Sequence, residues 1–383
     1  MSDQPSPAAT DSPVHRLVAE IGSQFAIQGE LVAINEVSGG HINSTFAGSY
    51  RQQDGSVQRF IFQSINRNVF KDAYGVMKNV ERVTRHINNK VLRTKRDLGG
   101  QTLNLFPARD GGSWVEDANG GVWRCYNFIE GCVTYDVVET TRQAFQAARA
   151  FGSLQDLVSD LDASKIIETI PDFHHTPKRF QRLLDVAAAD PAGRLESVRA
   201  EYEFALAREA VTGILIDAIA AGTIPVRVTH NDTKINNVMI DANTDEAVCV
   251  IDLDTVMPGL VLYDFGDLVR SATSPAAEDE QDLSKVQMRM PLFESLVEGY
   301  LDSARSFITA EEARHLVLGG KLMTFEVGIR FLTDYLEGDV YFKTHRPGHN
   351  LDRCRTQFRL VECIEEQEAA MEAFVRKVYH GGK

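Results

Sequence analysis

The stretch His230-Asn231-Asp232-Thr233-Lys234-Ile235-Asn236-Asn237 is followed ten residues on by Ala247-Val248-Cys249-Val250-Ile251-Asp252-Leu253-Asp254. The first run is polar and reads as a loop, while the second is apolar, β-branched and reads as a strand ending in acid. Polar groups on a loop held between strands are rigidly placed, which suits chemistry. Asp252 and Asp254 are two positions apart, so on a strand their carboxylates share a face and can meet one cation.

These parts fit phosphoryl transfer, in which a protein positions the reactants and neutralises charge. Asp232 is placed to orient an acceptor hydroxyl and take its proton, and Lys234 to approach the transferring phosphate. Asn237, Asp252 and Asp254 are candidate oxygen ligands for Mg²⁺, a hard cation. A capped turn before a half-exposed hairpin would also use Asp and Asn, for local hydrogen bonding. His230, the acidic strand end and the later Tyr263-Asp264-Phe265-Gly266-Asp267 together favour the catalytic reading.

Outward from this centre, the first third of the chain is β-rich. Glu30 to Val37, Thr45 to Tyr50, Arg59 to Ile65 and Gly121 to Phe128 read as strands, with Asp54-Gly55 as a hairpin turn and Val76 to Asn89 as a helix. After Gly131 the texture turns helical: Thr140 to Leu157, Lys178 to Ala187, Glu196 to Ala221, Tyr263 to Ser271, Ser284 to Ala304, Ala310 to Thr333 and Leu351 to Tyr379. Val226 to Thr229 and Asn237 to Val256 interrupt it with strand character. The chain thus divides into a tail at 1–13, an N-lobe at 14–128 and a C-lobe at 129–383.

Composition sets outer bounds. With 383 residues, 43% hydrophobic and 25% charged, the chain is long enough for two folded lobes. A formal charge of −14 argues against a broad nucleic-acid footprint, while leaving room for a small anionic ligand held by local cations. Five cysteines at irregular spacing, with no Cys-x-x-Cys, read as reduced thiols of a cytoplasmic protein rather than a disulfide or zinc framework. No run is apolar enough for a membrane span, and the opening residues lack the pattern of a secretory signal. His174-His175, adjacent on a loop, reads as a solvated pair.

The pattern His-x-Asp-x-x-x-x-Asn, then Ile-Asp-x-Asp, resembles the aminoglycoside phosphotransferase and choline kinase superfamily. The runs Val250 to Gly259, Tyr263 to Asp267 and Arg330 to Tyr341, with Gly39 to Phe46 and Phe62 to Phe70, look most like the N-acetylhexosamine 1-kinases. The resemblance implies an α/β, bilobal protein-kinase-like fold, with a small antiparallel-sheet N-lobe that binds nucleotide and a larger, mostly helical C-lobe for catalysis and sugar binding. It implies ATP as phosphate donor and the anomeric hydroxyl of N-acetylglucosamine or N-acetylgalactosamine as acceptor. The alternatives are another small alcohol on the same fold, or a catalytically inactive binding protein. An acidic C-lobe pocket would favour a cationic acceptor, and Arg330 with Tyr341 a neutral sugar.

On the nucleotide side, Gly39, Gly40, Ser44 and Thr45 are expected over the phosphates, and Phe128 and Glu130 at a hinge along the adenine edge. Where kinases place a phosphate-pairing lysine on a strand, this chain has Gln63, so Arg67, Lys71 or Lys234 is expected to supply the charge; Glu81 has no obvious partner. His41, Asn231, Arg330 and Tyr341 are expected to bind the sugar. Asp264-Phe265-Gly266 spells the protein-kinase metal motif but lies twenty-seven residues after Asn237, too far for that hairpin. Asp264 and Asp267 are therefore expected to buttress the catalytic loop, and the metal is assigned to Asp252.

Overall fold

The computed structural model describes residues 12–37, 42–94 and 102–381. They form two compact units. The first holds the described residues up to Cys132 with two later segments, Ile166–Ile170 and Ile251–Val256; the second holds the remainder.

In the first unit, helix α1 (Pro13–Gln24) is capped by the Ser12 side chain and precedes strands β1 (Glu30–Glu36), β2 (Ser44–Arg51) and β3 (Val57–Ser64). Helix α2 (Ala73–Thr94), β4 (Val115–Glu116) and β5 (Val122–Asn127) follow. The strands make one sheet in the order β1-β2-β3-β5-β4, with antiparallel neighbours. The turn between β2 and β3 closes at Gly55, φ +82°, beside an Asp54 carboxylate that accepts from the Ser56 amide. Alternation along the strands separates two faces. Phe46, Phe60, Phe62, Trp123 and Cys125 pack with Val18, Ile21 and Phe25 into an aromatic core. Thr45, Gln63 and Arg124, in register across β2, β3 and β5, take the opposite face.

The second unit is mainly helical. After the short β6 (Cys132–Val133), which straddles the division, come α3 (Thr141–Val158), α4 (Thr176–Ala189), α5 (Arg199–Leu206), α6 (Glu209–Thr212) and α7 (Ile214–Ala220). Strands β7 (Arg227–Thr229), β8 (Val238–Asp241), β9 (Ala247–Val250) and β10 (Met257–Gly259) lead to α8 (Val261–Ala272), α9 (Met290–Ala304), α10 (Ala310–Arg314), α11 (Leu316–Glu337) and α12 (His349–Gly381). Strands β8 and β9 pair as an antiparallel hairpin, and β7 and β10, which flank that hairpin in the chain, pair antiparallel. Phe180, Leu183, Phe325, Ile329, Leu332 and Phe358 centre the core of α4, α11 and α12. No helix among the described residues is long and apolar enough to cross a membrane.

The mixed α/β architecture, an antiparallel sheet followed by helices, is that expected from the sequence, and several elements differ in detail. The single helix expected over 196–221 is three short helices and a 3-10 turn; at the first break Arg208 stacks on Phe204 at 3.5 Å and pairs with Glu365 of α12 at 2.7 Å. The helix expected from Ser284 starts at Met290, where Pro291 suits a first turn that needs no amide donor. The run 310–333 breaks at His315. The strand expected to reach Val256 stops at Val250: Asp252 is left-handed, φ +60°, and Leu253–Thr255 is a 3-10 turn. Asp252 and Asp254 are therefore not strand neighbours, and the argument that alternation aligns them on one cation fails. Asp264-Phe265-Gly266 lies inside α8.

Gly266 explains why α8 and α11 pack so closely. A Cβ there would sit 2.3 Å from the Gly319 carbonyl oxygen, and one at Gly319 would sit 2.5 Å from the Leu262 carbonyl. The nearest contact in each case is backbone on backbone, which moving a side chain cannot relieve. Gly266→Ala is expected to lower stability by about 1–3 kcal/mol, read as a lower urea midpoint; an unchanged midpoint would show that the two helices can part without cost.

Candidate active site

Strand β7 delivers the chain into a loop at His230 that α8 holds in place. The Asp264 carboxylate accepts the amide of His230 at 2.9 Å on one oxygen and that of Asn231 at 2.7 Å on the other. Gln155 of α3 donates to it at 2.6 Å. Asp264 is fully buried; burial pushes its carboxyl above the ordinary value, while His230, the two amides and Gln155 pull against that. Asn231, which supplies the second amide, is left-handed, φ +64°, a conformation that asparagine tolerates, and this turns the chain that continues to Asp232.

Asp232 follows, half-buried. Its amide is 3.3 Å from His230 Nδ1, and its Oδ1 is 2.8 Å from Lys234 Nζ. Asn237 donates from Nδ2 to the Asp232 carbonyl at 2.9 Å, so its amide oxygen is the end left to accept. Burial works against the Lys234 charge, yet Asp232 and Asp267 hold its ammonium above the ordinary value. Asp267 is buried and pairs with Arg270 at 2.7 Å; burial raises its carboxyl, and Arg270 and Lys234 outweigh that and lower it.

A second prop was not expected. His174 is buried, not solvated: Nδ1 lies 2.8 Å from Glu326 Oε1, and Nε2 lies 3.2 Å from the Asn231 carbonyl oxygen. Both ring nitrogens face oxygen atoms, so the ring is held from two sides. Glu326, fully buried in α11, also accepts from Thr176 at 2.6 Å. Burial raises its carboxyl, but His174 overcomes this and holds it below the ordinary value. His175 instead caps α4 by accepting the Lys178 amide.

The expected sugar-binding residues are placed unequally. Asn231 turns its side chain back to Thr229, accepting from its hydroxyl at 3.0 Å and donating to its carbonyl at 3.2 Å. Arg330, one helical turn beyond Glu326, stands 5.7 Å from the Phe173 ring and 5.5 Å from Phe342. The Tyr341 loop is drawn to the same part of α11 by buried Asp334, which accepts the amides of Val340, Tyr341 and Phe342 at 2.7–2.9 Å. The Tyr341 side of that loop is open, the residue being 69% exposed. Arg179 joins this group: burial and the like charge of Arg330 lower its guanidinium from the ordinary value.

In the first unit, Ser44 opens β2, and Thr45 accepts from Gln63 at 3.0 Å. Arg67 is exposed and donates to the Gly120 carbonyl at 2.8 Å; Lys71 is exposed. The Phe128 ring lies 3.7 Å beneath the Arg59 guanidinium, which also pairs with Glu130. Glu81 pairs with Arg85 on its own helix at 3.3 Å. Asp254, expected as a metal ligand, is buried against Arg124 and accepts from Asn43 at 2.6 Å. Gly39, Gly40 and His41 lie outside the described residues. The five cysteines, all among the described residues, form no disulfide.

Residues 34–296 match the phosphotransferase enzyme family (APH), and the chain belongs to it. It is a phosphotransferase with the protein-kinase-like fold of that family. Among solved structures it is similar to an aminoglycoside phosphotransferase from Alicyclobacillus acidocaldarius, with TM-score 0.60 and 13% identity over 94% of this chain and 96% of that one. A microcompartment-associated aminopropanol kinase gives 0.57 and 15%, over 93% and 98%. Amicoumacin kinase, solved in complex with AMP-PNP, Ca²⁺ and Ami, gives 0.52 and 12%, over 95% and 92%.

Breaking a buried ion pair from one side costs about 3–5 kcal/mol. His174→Ala is therefore expected to lower stability on that scale and to reduce turnover by loosening the Asn231 carbonyl. Denaturant unfolding and steady-state kinetics check this; a variant as stable and as active as the parent would remove His174 from the support of the loop.

Proposed function

We propose that this phosphotransferase transfers the γ-phosphate of ATP, with Mg²⁺, to the anomeric hydroxyl of an N-acetylhexosamine. The observation that supports this reading is Arg330 beside the Phe173 and Phe342 rings, with Arg179 donating to the Phe173 carbonyl at 3.2 Å. Two matched structures carry names with amine-bearing acceptors, aminopropanol and aminoglycosides. Such cations are repelled by guanidinium groups, and Glu326, a buried carboxylate whose charge acts on both arginines, is already committed to His174 and Thr176. A neutral sugar suits the same group, since guanidinium N–H donors and an exposed phenol bind hydroxyl and amide oxygens, and apolar sugar faces lie well on aromatic rings.

In this reading Asp232 orients the acceptor hydroxyl and takes its proton, and Lys234, tethered to Asp232, offsets charge on the transferring group. The oxygens of Asp252 and Asn237 suit a hard divalent cation, and these residues would hold Mg²⁺. When bound, the ion neutralises phosphate charge. Ser44 and Thr45, with Gly39 and Gly40, would lie along the phosphates, and Phe128 and Glu130 along the base. Arg330 and Tyr341, with His41, would hold the sugar. Asn231, committed to Thr229, would shape the loop and not bind sugar through its side chain.

The anomeric hydroxyl is the most acidic on the ring, so positioning supplies much of the rate and the base needs little strength. The free sugar is expected to yield a phosphate labile to mild acid, and its methyl glycoside none. An acid-stable ester, or phosphorylation of the glycoside, would move the reaction to another hydroxyl. Arg330→Ala is expected to raise the acceptor KM about tenfold or more, the scale of losing one buried polar contact, with the nucleotide KM unchanged. An unchanged acceptor KM would place the sugar elsewhere.

A further inference from the structure

Gln63 stands on β3 where kinase folds place a phosphate-pairing lysine. Directly across the register on β5 is Arg124, fully buried, whose Nε and Nη2 donate to Gln63 Oε1 at 3.1 and 2.9 Å. Its Nη1 pairs with one oxygen of Asp254, and Asn43 donates to the other at 2.6 Å. Gln63 spends its own amide nitrogen on Thr45. Two residues beyond Asp254, the Val256 carbonyl accepts from buried Asn79 of α2 at 3.1 Å. The turn that contains Asp254 is thus held at Asp254 and at Val256 within the first unit: one oxygen of Asp254 accepts from Asn43, and the other faces the Arg124 guanidinium as an ion pair.

We propose that Arg124 is a positioning residue: it holds Asp254 as an internal counter-ion, not a metal ligand, and so presents Asp252 as the metal-facing carboxylate of this segment. The proposal rests on the reading above that Asp252 binds Mg²⁺. Its chemistry also accounts for Gln63. Arg124 needs a neutral or anionic acceptor there, and a lysine would set a second cation against a buried guanidinium and remove the acceptor of two hydrogen bonds. Gln63 is then the matched partner of a cation moved one strand over. The left-handed backbone of Asp252 turns its side chain out of the strand alternation, so its direction depends on how the following turn is fixed.

The test uses the full chain and two readouts besides turnover, thermal unfolding and calorimetric titration of ATP with and without Mg²⁺. Gln63→Lys, which recreates the usual kinase residue, is expected to lower the melting temperature and weaken MgATP binding tenfold or more, whereas Gln63→Glu keeps an acceptor for Arg124 and binds within threefold of the parent. The double variant Arg124→Gln/Asp254→Asn leaves no lone buried charge. It is expected to fold and bind metal-free ATP like the parent, but to lose tenfold or more of the gain in affinity that Mg²⁺ brings. A merely structural pair would not move that gain. MgATP binding unchanged in the double variant, or a Gln63→Lys protein that binds as well as the parent, would overturn the proposal. A parent protein whose ATP affinity does not respond to Mg²⁺ would instead overturn the metal reading on which it rests.

Discussion

The support of the proposed catalytic loop depends on one buried carboxylate. Asp264 gathers the amides of His230 and Asn231 and the Gln155 side chain, and so fixes the backbone one residue before Asp232. A buried carboxylate without such donors would be costly, and these backbone amides without an acceptor would be nearly as costly. Each makes the other affordable, which gives the loop a single low-energy path. The contact also requires α8 to sit where it does, against α11, and Gly266 and Gly319 allow that approach.

The same logic appears twice more, once in each unit. Glu326 is an acid in the middle of an apolar helix, matched by His174 and Thr176; Arg124 is a cation in the middle of an apolar strand, matched by Asp254 and Gln63. Buried pairs of this kind add little net stability, but removing one partner is expensive, so they fix geometry more than they strengthen the fold. In both cases the geometry fixed belongs to a proposed functional group: the carbonyl of Asn231 beside Asp232, and the turn that follows Asp252. Polar networks inside each unit therefore serve precision at the site, while the aromatic and aliphatic cores supply the bulk of the folding free energy.

Much of this was legible in the sequence because it is written in local patterns. The four main strands of the sheet, the Asp54-Gly55 turn and the helical texture after Gly131 follow from alternation, turn chemistry and helical periodicity. The His230–Asn237 loop and the buttressing place of Asp264 were also readable. The misses are tertiary. Helix breaks near Arg208 and at His315 come from contacts and local backbone choices that periodicity does not encode, and the end of β9 turns on one left-handed residue. The buried places of Arg124 and His174 were not legible, since Arg124 belongs to no motif and His174 sits in an adjacent histidine pair that reads as a solvated loop. A signal was present in each case: an arginine in Val122-Trp123-Arg124-Cys125-Tyr126, and a glutamate in Leu322-Met323-Thr324-Phe325-Glu326-Val327, are charges in apolar runs that must find buried partners. What pattern alone withholds is the identity of those partners, which lie 130 residues away for Arg124 and 152 for Glu326.

The most direct test of the central claim, that Asp232 acts on the acceptor and not on the nucleotide, is to compare single-turnover phosphoryl transfer and MgATP affinity in Asp232→Asn. The account predicts a transfer rate lowered by about two orders of magnitude or more with the MgATP dissociation constant within about twofold of the parent. A near-normal transfer rate, or a loss of MgATP affinity that explains the slower rate, would contradict it.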